Sequence, residues 1–143
     1  MTQEQQTTNT TWPMDLSQKK TLLALDAQVG AFDILQSIHK RKVRMARTVE
    51  EASLALRGNP ENYSVFLVEP FICFQRPKEL GKLQKLMLSV KEGKGLPQLP
   101  VWAYATMPKE IVEQEFGLYQ GKHYDFYLYK IAPNAFNILL DAP

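Results

Sequence analysis

The chain has 143 residues, 45% of them hydrophobic and 22% charged, which provides enough apolar material for the core of one domain. Its 17 basic and 15 acidic residues leave a net charge of +2, so charge gives no argument for binding nucleic acid or an anionic membrane. The single cysteine, Cys73, excludes an internal disulfide. This cysteine usage, with no long apolar run and no secretory signal, predicts a cytoplasmic location.

The N-terminal segment differs in composition from the rest of the chain. Residues 1–18 are rich in Gln and Thr, which predicts a flexible polar tail ahead of a domain over 19–143. The apolar run TLLALD at 21–26 predicts a buried strand, and the helical spacing of apolar residues after it predicts a helix over 29–42. The basic cluster HKRKVR at 39–44 is expected at the solvent-exposed end of that helix.

The rest of the chain continues to alternate between strand and helix. Residues 43–47 alternate as a strand does, and Thr48 with Glu51 three residues later forms a capping-box sequence. The remaining strands are expected at 64–68, 101–105 and 124–130. The helix that begins at the Thr48 cap is expected to end at Leu56, and the next helix is expected to cover 77–95. A fourth helix is expected from Pro108 to about Tyr119, with Thr106 as its cap and Gly121 as the residue that ends it. The last helix is expected to cover 133–142.

Five strand–helix units in strict alternation define the fold class. Connections that contain helices force the strands to pair in parallel through right-handed crossovers. Strands that are apolar almost throughout indicate a sheet covered on both faces. The sequence therefore predicts a doubly wound, three-layer α/β fold of the (βα)5 type, whose five parallel strands follow the flavodoxin-like order 2-1-3-4-5.

Polar side chains follow several of the predicted strands. Ligands of such a sheet bind beyond the C-terminal ends of its strands. The residues at these ends are Asp26 after the first strand, Glu69 after the third, Ala105 and Thr106 after the fourth, and Lys130 after the fifth. Two carboxylates and a lysine are therefore expected to meet at one edge of the sheet.

Motifs of the common enzyme classes do not occur. The GKGLP segment lacks the spacing of a phosphate-binding loop, a single glycine follows the first strand, and no G-x-S-x-G sequence is present. His39 and His123 are far apart and no Cys or His cluster has metal-ligand spacing, so both histidines are expected at the surface. No independent enzymatic activity is predicted.

The order of these strand-end residues resembles that of response-regulator receiver domains, the CheY-like family. TLLALDAQ, SVFLVEP, LPVWAYAT and YDFYLYK are similar to the family's first, third, fourth and fifth strands with the residues that follow them. The resemblance covers residues 19–142. It implies that Glu69 stands at the phospho-acceptor position, Lys130 at the family's lysine and Tyr127 at its switch aromatic.

Several positions depart from the family's pattern. Glu69 replaces the accepting Asp, and its longer side chain changes the geometry needed for in-line phosphoryl transfer. Leu25 replaces one of the two acids after the first strand, and Ala105 occupies the hydroxyl position, with Thr106 one residue later. No cofactor is expected, because Asp26 and Glu69 alone would make a weak Mg²⁺ site. The chain thus resembles a degenerate receiver, or pseudo-receiver.

The resemblance also implies an output face formed by the fourth helix, the fifth strand and the fifth helix. Its aromatic residues in this chain include Phe116, Tyr119, Tyr127 and Tyr129, which either bind a partner or pack inside. The first hypothesis is a signalling module that binds a protein partner, or a second copy of itself, through this face without phosphorylation. It predicts no contact with nucleic acid or membrane.

Two alternatives remain open from the sequence. The chain is also compatible with an atypical response regulator that is still phosphorylated or binds Mg²⁺. A third hypothesis is a flavodoxin-like domain that binds a small molecule in a pocket formed by the aromatic residues around the fifth strand. For Glu69 itself, the alternatives are a constant mimic of the phosphorylated Asp and a structural remnant that only neutralises Lys130.

Overall fold

The computed structural model describes residues 14–28, 30–74 and 76–143, so the first 13 residues of the tail predicted over 1–18 lie outside the described residues. Strands and helices alternate along the described residues. The strands are β1 (Thr21–Leu25), β2 (Val43–Ala46), β3 (Tyr63–Val68), β4 (Val101–Ala105) and β5 (Phe126–Tyr129). The helices are α1 (Gly30–Ser37), α2 (Val49–Gly58), α3 (Pro77–Glu92), α4 (Lys109–Phe116) and α5 (Ala135–Leu140). Two 3-10 turns cover Pro60–Asn62 and Pro70–Cys73.

All strands pair in parallel in one sheet of order β2-β1-β3-β4-β5. The predicted fold class and strand order are therefore confirmed. The three central strands are buried along almost their whole length, whereas the edge strands β2 and β5 are partly exposed. The burial of the central strands on both faces agrees with the nearly continuous apolar runs of their sequences. None of the helices in the described part of the chain is long and apolar enough to span a membrane.

A separate apolar core lies on each face of the sheet. The larger core packs the sheet against α2, α3 and α4, and the smaller one packs it against α1 and α5. Helix α3 shows how the sequence fills the larger core, because Leu83, Leu86, Met87 and Val90 repeat at helical spacing and are all buried. Each such side chain stabilises the fold by about 1.5–3 kcal/mol through the apolar surface it removes from water.

Helix α1 ends earlier than the sequence indicated, at Ser37 rather than at residue 42. Lys40 adopts a positive φ of 59°, and the amide of Arg41 donates to the carbonyl of Leu35, so the chain turns back toward β2. The basic cluster at 39–44 was expected to be exposed, and this is wrong for two of its residues, because His39 and Arg41 are fully buried. The Arg41 guanidinium donates to the backbone oxygens of residues 142 and 143 and to a serine hydroxyl.

The two histidines lie inside the protein, which corrects the expectation that they are surface residues. His39 donates through Nδ1 to the carbonyl of Met14 at 2.9 Å. His123 is 3% exposed and accepts the amide of Tyr119 at its Nδ1, and burial lowers its pKa. In both cases a hydrogen bond to the backbone offsets the cost of burying the polar ring. The local sequence does not show that such a partner is present.

Helix α4 differs from its prediction at both ends. Pro108, not Thr106, occupies the N-cap position, and no side chain caps this end. The helix ends at Phe116 because Gly117 adopts the left-handed conformation, four residues before the glycine expected to stop it.

At the N-terminal side of the domain, residues 14–18 belong to the described structure, and Leu16 is buried in the smaller core.

Candidate functional site

The backbone places three charged side chains at the C-terminal edge of the sheet. Asp26, Glu69 and Lys130 each follow the last residue of their strand, and their amides extend the ladder by donating to Ala46, Leu25 and Ala105, respectively. These amide bonds measure 2.8–3.0 Å. The three side chains are thus positioned by the most rigid part of the fold.

The Lys130 ammonium joins the two carboxylates. Its Nζ lies 2.7 Å from Asp26 Oδ2 and 3.3 Å from Glu69 Oε2. The side chains are between 4% and 10% exposed, so water screens these ion pairs only weakly. We refer to Asp26, Glu69 and Lys130 as the ion-pair site.

Glu69 has a second role in the local backbone. Its Oε1 accepts the amide of Phe71 at 2.8 Å, which caps the 3-10 turn Pro70–Cys73. Burial raises the pKa of Glu69 above its ordinary value, while Lys130 and the Phe71 amide act in the opposite direction. One oxygen of the carboxylate therefore accepts a backbone amide, and the other contacts the ammonium in an ion pair without a hydrogen bond.

Two neighbours of Lys130 were not anticipated from the sequence. Its Nζ lies 4.8 Å from the centre of the Tyr104 ring, in a cation–π contact, and 3.5 Å from Gln28 Oε1. Burial, with the charges of Asp26 and Glu69, raises the pKa of the Tyr104 phenol to about 12. The only sequence signal for Tyr104 is its place on β4, one residue before the strand end.

The two other strand-end residues lie apart from the charges. Ala105 is fully buried and contributes its carbonyl to the amide of Lys130. Thr106 is exposed, and no hydrogen bond of its side chain occurs among the described residues. A methyl group thus occupies the buried end of β4, where the receiver pattern has a hydroxyl.

The receiver resemblance raises Mg²⁺ as a ligand at this edge, and the residues present do not fit it. Mg²⁺ needs oxygen ligands in near-octahedral arrangement. Leu25 removes one acid, and the Lys130 ammonium already holds the Asp26 oxygen that would bind a cation. Within residues 14–28, 30–74 and 76–143, no group of three or more His, Cys, Asp or Glu side chains could hold a metal ion.

The expected output face has a mixed exposure. Phe116 is 4% exposed and packs into the larger core, so it is not available as a partner contact, which corrects its assignment to the face. Tyr119 is exposed on 47% of its surface. Tyr127 and Tyr129 are partly buried, and the Tyr127 hydroxyl donates to the carbonyl of Met107. This bond holds Tyr127 toward the loop between β4 and α4.

Simple strand alternation over the predicted strand 124–130 places Tyr124 on the opposite face from Tyr127, and the structure contradicts this. Tyr124 precedes the strand, is fully buried, and its ring lies 5.9 Å from that of Tyr127 in the same core. Strand β5 begins only at Phe126, so simple alternation does not extend back to residue 124.

Comparison with solved structures identifies the fold. A response regulator from Thermotoga maritima superposes with a TM-score of 0.56 at 16% sequence identity, over 85% of this chain and 92% of that chain. The phosphorylated cyanobacterial phytochrome response regulator RcpA superposes with a TM-score of 0.57 at 19% identity, over 84% of this chain and 88% of that one. No protein-family model and no curated protein matches the chain.

These similarities show that the chain has the fold of a response-regulator receiver domain. The resemblance inferred from the strand-end residues is thereby confirmed at the level of the fold. At such low identity, the roles of individual residues have to be argued from the geometry of this chain.

Proposed function

We propose that the chain is a receiver-like signalling module that acts by binding a protein partner, or a second copy of itself, without being phosphorylated. The observation that carries the proposal is the engagement of Glu69 on both sides, by Lys130 at 3.3 Å and by the Phe71 amide at 2.8 Å. A buried carboxylate held in this way is a poor nucleophile, because attack would break the ion pair and uncap the turn.

Two further features support this proposal. The donor set does not suit Mg²⁺, which neutralises the phosphoryl oxygens in phosphoryl transfer. Ala105 also leaves the end of β4 without a hydroxyl to hold such a group. The fixed negative charge of Glu69 and its salt bridge to Lys130 support the hypothesis that it mimics a phosphorylated Asp, whereas its cap on the turn supports a purely structural role.

The partner surface is proposed to be the face formed by α4, β5 and α5. Three side chains are exposed there: Ile111 on α4, Tyr119 after α4 and Phe126 on β5. Exposed aromatic and aliphatic side chains are common anchors of protein interfaces. We expect the module to act in the cytoplasm, with no nucleic acid or membrane contact and no catalytic activity of its own.

Intact-mass measurement after incubation with acetyl phosphate and Mg²⁺ at neutral pH tests the proposal. We expect no gain of a phosphoryl group, under conditions in which a response regulator with an Asp acceptor gains one. A stable phosphoryl adduct that disappears in Glu69→Gln would overturn it and favour the atypical response regulator. In a second assay, partner binding or self-association that Glu69→Gln leaves unchanged would reject the mimic and leave the structural role.

A further inference from the structure

We propose that a cavity beside the ion-pair site binds a nucleotide-like ligand, one that joins a planar ring to a phosphate group. The cavity measures ≈ 390 Å³ and lies over the C-terminal ends of β1, β2 and β3. It is lined by Ala27, Arg47, Phe71, Ile72, Phe74 and Arg76. Its volume falls within the range of small-ligand pockets, roughly 300–1,000 Å³.

Two exposed phenylalanine rings, tilted by 38° relative to each other, line the cavity and offer ring faces for stacking. Phe71 and Phe74 are exposed on 47% and 59% of their surface, and their ring centres lie 4.6 Å apart. Phe71 also packs edge-on against the buried Phe116 at 6.3 Å, which supports the pair from behind. Adjacent exposed aromatic rings are costly in water and mark a binding surface, and bases stack on such rings whatever their identity.

Two arginines provide the charge for the phosphate. Among the described residues, neither Arg47 nor Arg76 forms a salt bridge, and both side chains are exposed. The nearby acids already have partners: Glu79 pairs with Lys82 at 3.3 Å, and Glu51 accepts the backbone amide of Arg47 itself. The carboxylates of the ion-pair site are held by their lysine. The guanidinium group matches the oxygen geometry of phosphate.

The two arginines lie at the beginnings of the flanking helices. Arg47 precedes the first turn of α2, and Arg76 is the N-cap residue of α3, where no side-chain oxygen caps the helix. The first turns of both helices carry glutamates, which offset the partial positive charge of the helix N-termini, so the charge for the phosphate comes from the arginines. A peptide would require an extended groove or a free strand edge, whereas these aromatic and cationic groups line one pocket that is open to solvent.

The cavity and the ion-pair site share a structural element. The turn Pro70–Cys73 carries Phe71, whose ring lines the cavity and whose amide binds Glu69. A ligand that stacks on Phe71 would therefore act on the same turn that holds the carboxylate.

The test is the fluorescence anisotropy of an ADP that carries a methylanthraniloyl group, titrated with the full chain. We expect saturable binding that Arg47→Gln and Arg76→Gln each weaken by about tenfold, because each removes a charge-assisted hydrogen bond. Phe74→Ala should weaken it by at least about fivefold through lost stacking. Arg57→Gln is the matched control, an exposed arginine of α2 that does not line this cavity, and should leave binding unchanged.

Three outcomes would overturn the proposal. They are the absence of saturable binding, a loss in Arg57→Gln equal to that in the other arginine variants, and binding that Phe74→Ala does not weaken. Amide chemical shifts provide a second measurement that requires no variant, and we expect ADP to move the signals of residues 47 and 71–74 first. The assay leaves the ion-pair site unaltered, so its outcome is independent of whether Glu69 accepts a phosphoryl group.

Discussion

The Lys130 ammonium lies between two carboxylates that have almost no contact with solvent. Its distances to Asp26 and Glu69 are 2.7 and 3.3 Å. Such a cluster is stable only while opposite charges remain matched, because an unpaired charge in the interior is far more costly than a paired one. Lys130 is therefore the residue on which the charge balance of the site depends.

Replacement of Lys130 by Met should destabilise the protein strongly. The substitution leaves two buried carboxylates without a cation, and we expect the free energy of unfolding to fall by about 3 kcal/mol at neutral pH. Urea unfolding followed by circular dichroism measures the change. Lys122→Met, at an exposed lysine with no salt bridge to the described residues, should alter the stability little. Equal stability of the two variants would contradict the importance of the ion pairs.

The titration of Glu69 should be visible in the pH dependence of stability. Its pKa is raised in the folded chain, chiefly by burial, so the folded state holds the proton more tightly than the unfolded state. The stability from this protonation is fully present below the ordinary value of 4.5 and is lost as the pH rises through the raised value. Glu69→Gln has no such proton and should gain stability relative to wild type over that range.

Urea unfolding of both proteins at several pH values from about 4 to about 7 checks this sign. A difference between them that stays constant with pH would show that the pKa of Glu69 is not shifted by folding, and a wild type that gains on Glu69→Gln with rising pH would show that the carboxylate is stabilised as an anion. Either result would contradict the prediction. The amide of Gln can still accept the Phe71 hydrogen bond through its oxygen, so the cap on the turn remains and the comparison isolates the charge.

Among the elements, the beginning of α2 depends on a single side chain. Thr48 has extended backbone angles, and its Oγ1 accepts the amide of Glu51 at 3.0 Å. We expect Thr48→Ala to cost about 1 kcal/mol of stability, measured by urea unfolding. Thr106→Ala is the matched control, since Thr106 does not cap α4, and should change stability by less than about 0.5 kcal/mol. A larger loss in the control would restore the capping role for Thr106.

Helix starts and buried strands could be predicted because their signals are local. Pro77 at the first position of α3 and the capping sequence at Thr48 both mark true helix starts, and the apolar runs match β1, β3 and β4. Helix ends were harder to predict. The chain turns after α1 at Lys40, which takes a left-handed conformation although it is not a glycine. After α4 the sequence offers two glycines that could end the helix, Gly117 and Gly121, and the helix ends at Gly117.

At the scale of the whole molecule, strand order decides which residues meet. The five strand–helix units suggested the order 2-1-3-4-5 without determining it, and this order brings Asp26, Glu69 and Lys130 together from positions up to 104 residues apart. The contacts of Arg41, His39 and Tyr104 could not be predicted in this way. Each depends on a backbone oxygen or ammonium supplied by a distant segment, for which the neighbouring sequence holds no signal.

Arg41 joins segments that are distant in the chain. Fully buried, it donates to the backbone oxygen of residue 142 at 2.9 Å and to the Ser64 hydroxyl at 3.0 Å. We expect Arg41→Met to lower the free energy of unfolding by about 2 to 3 kcal/mol, because charge-assisted hydrogen bonds are lost. The control is Lys42→Met, at an exposed neighbour. The role of Arg41 would be refuted by urea unfolding curves that coincide for the two variants.

We propose that Lys130 holds Asp26 and Glu69 in a closed site that takes neither Mg²⁺ nor a phosphoryl group. Amide spectra of the labelled protein, before and after addition of MgCl₂ and beryllofluoride, test this directly, because beryllofluoride imitates a phosphoryl group on an acceptor carboxylate. We expect unchanged signals at residues 26, 69, 106 and 130. Saturable shifts at these residues, lost in Glu69→Gln, would show an open acceptor site and contradict it.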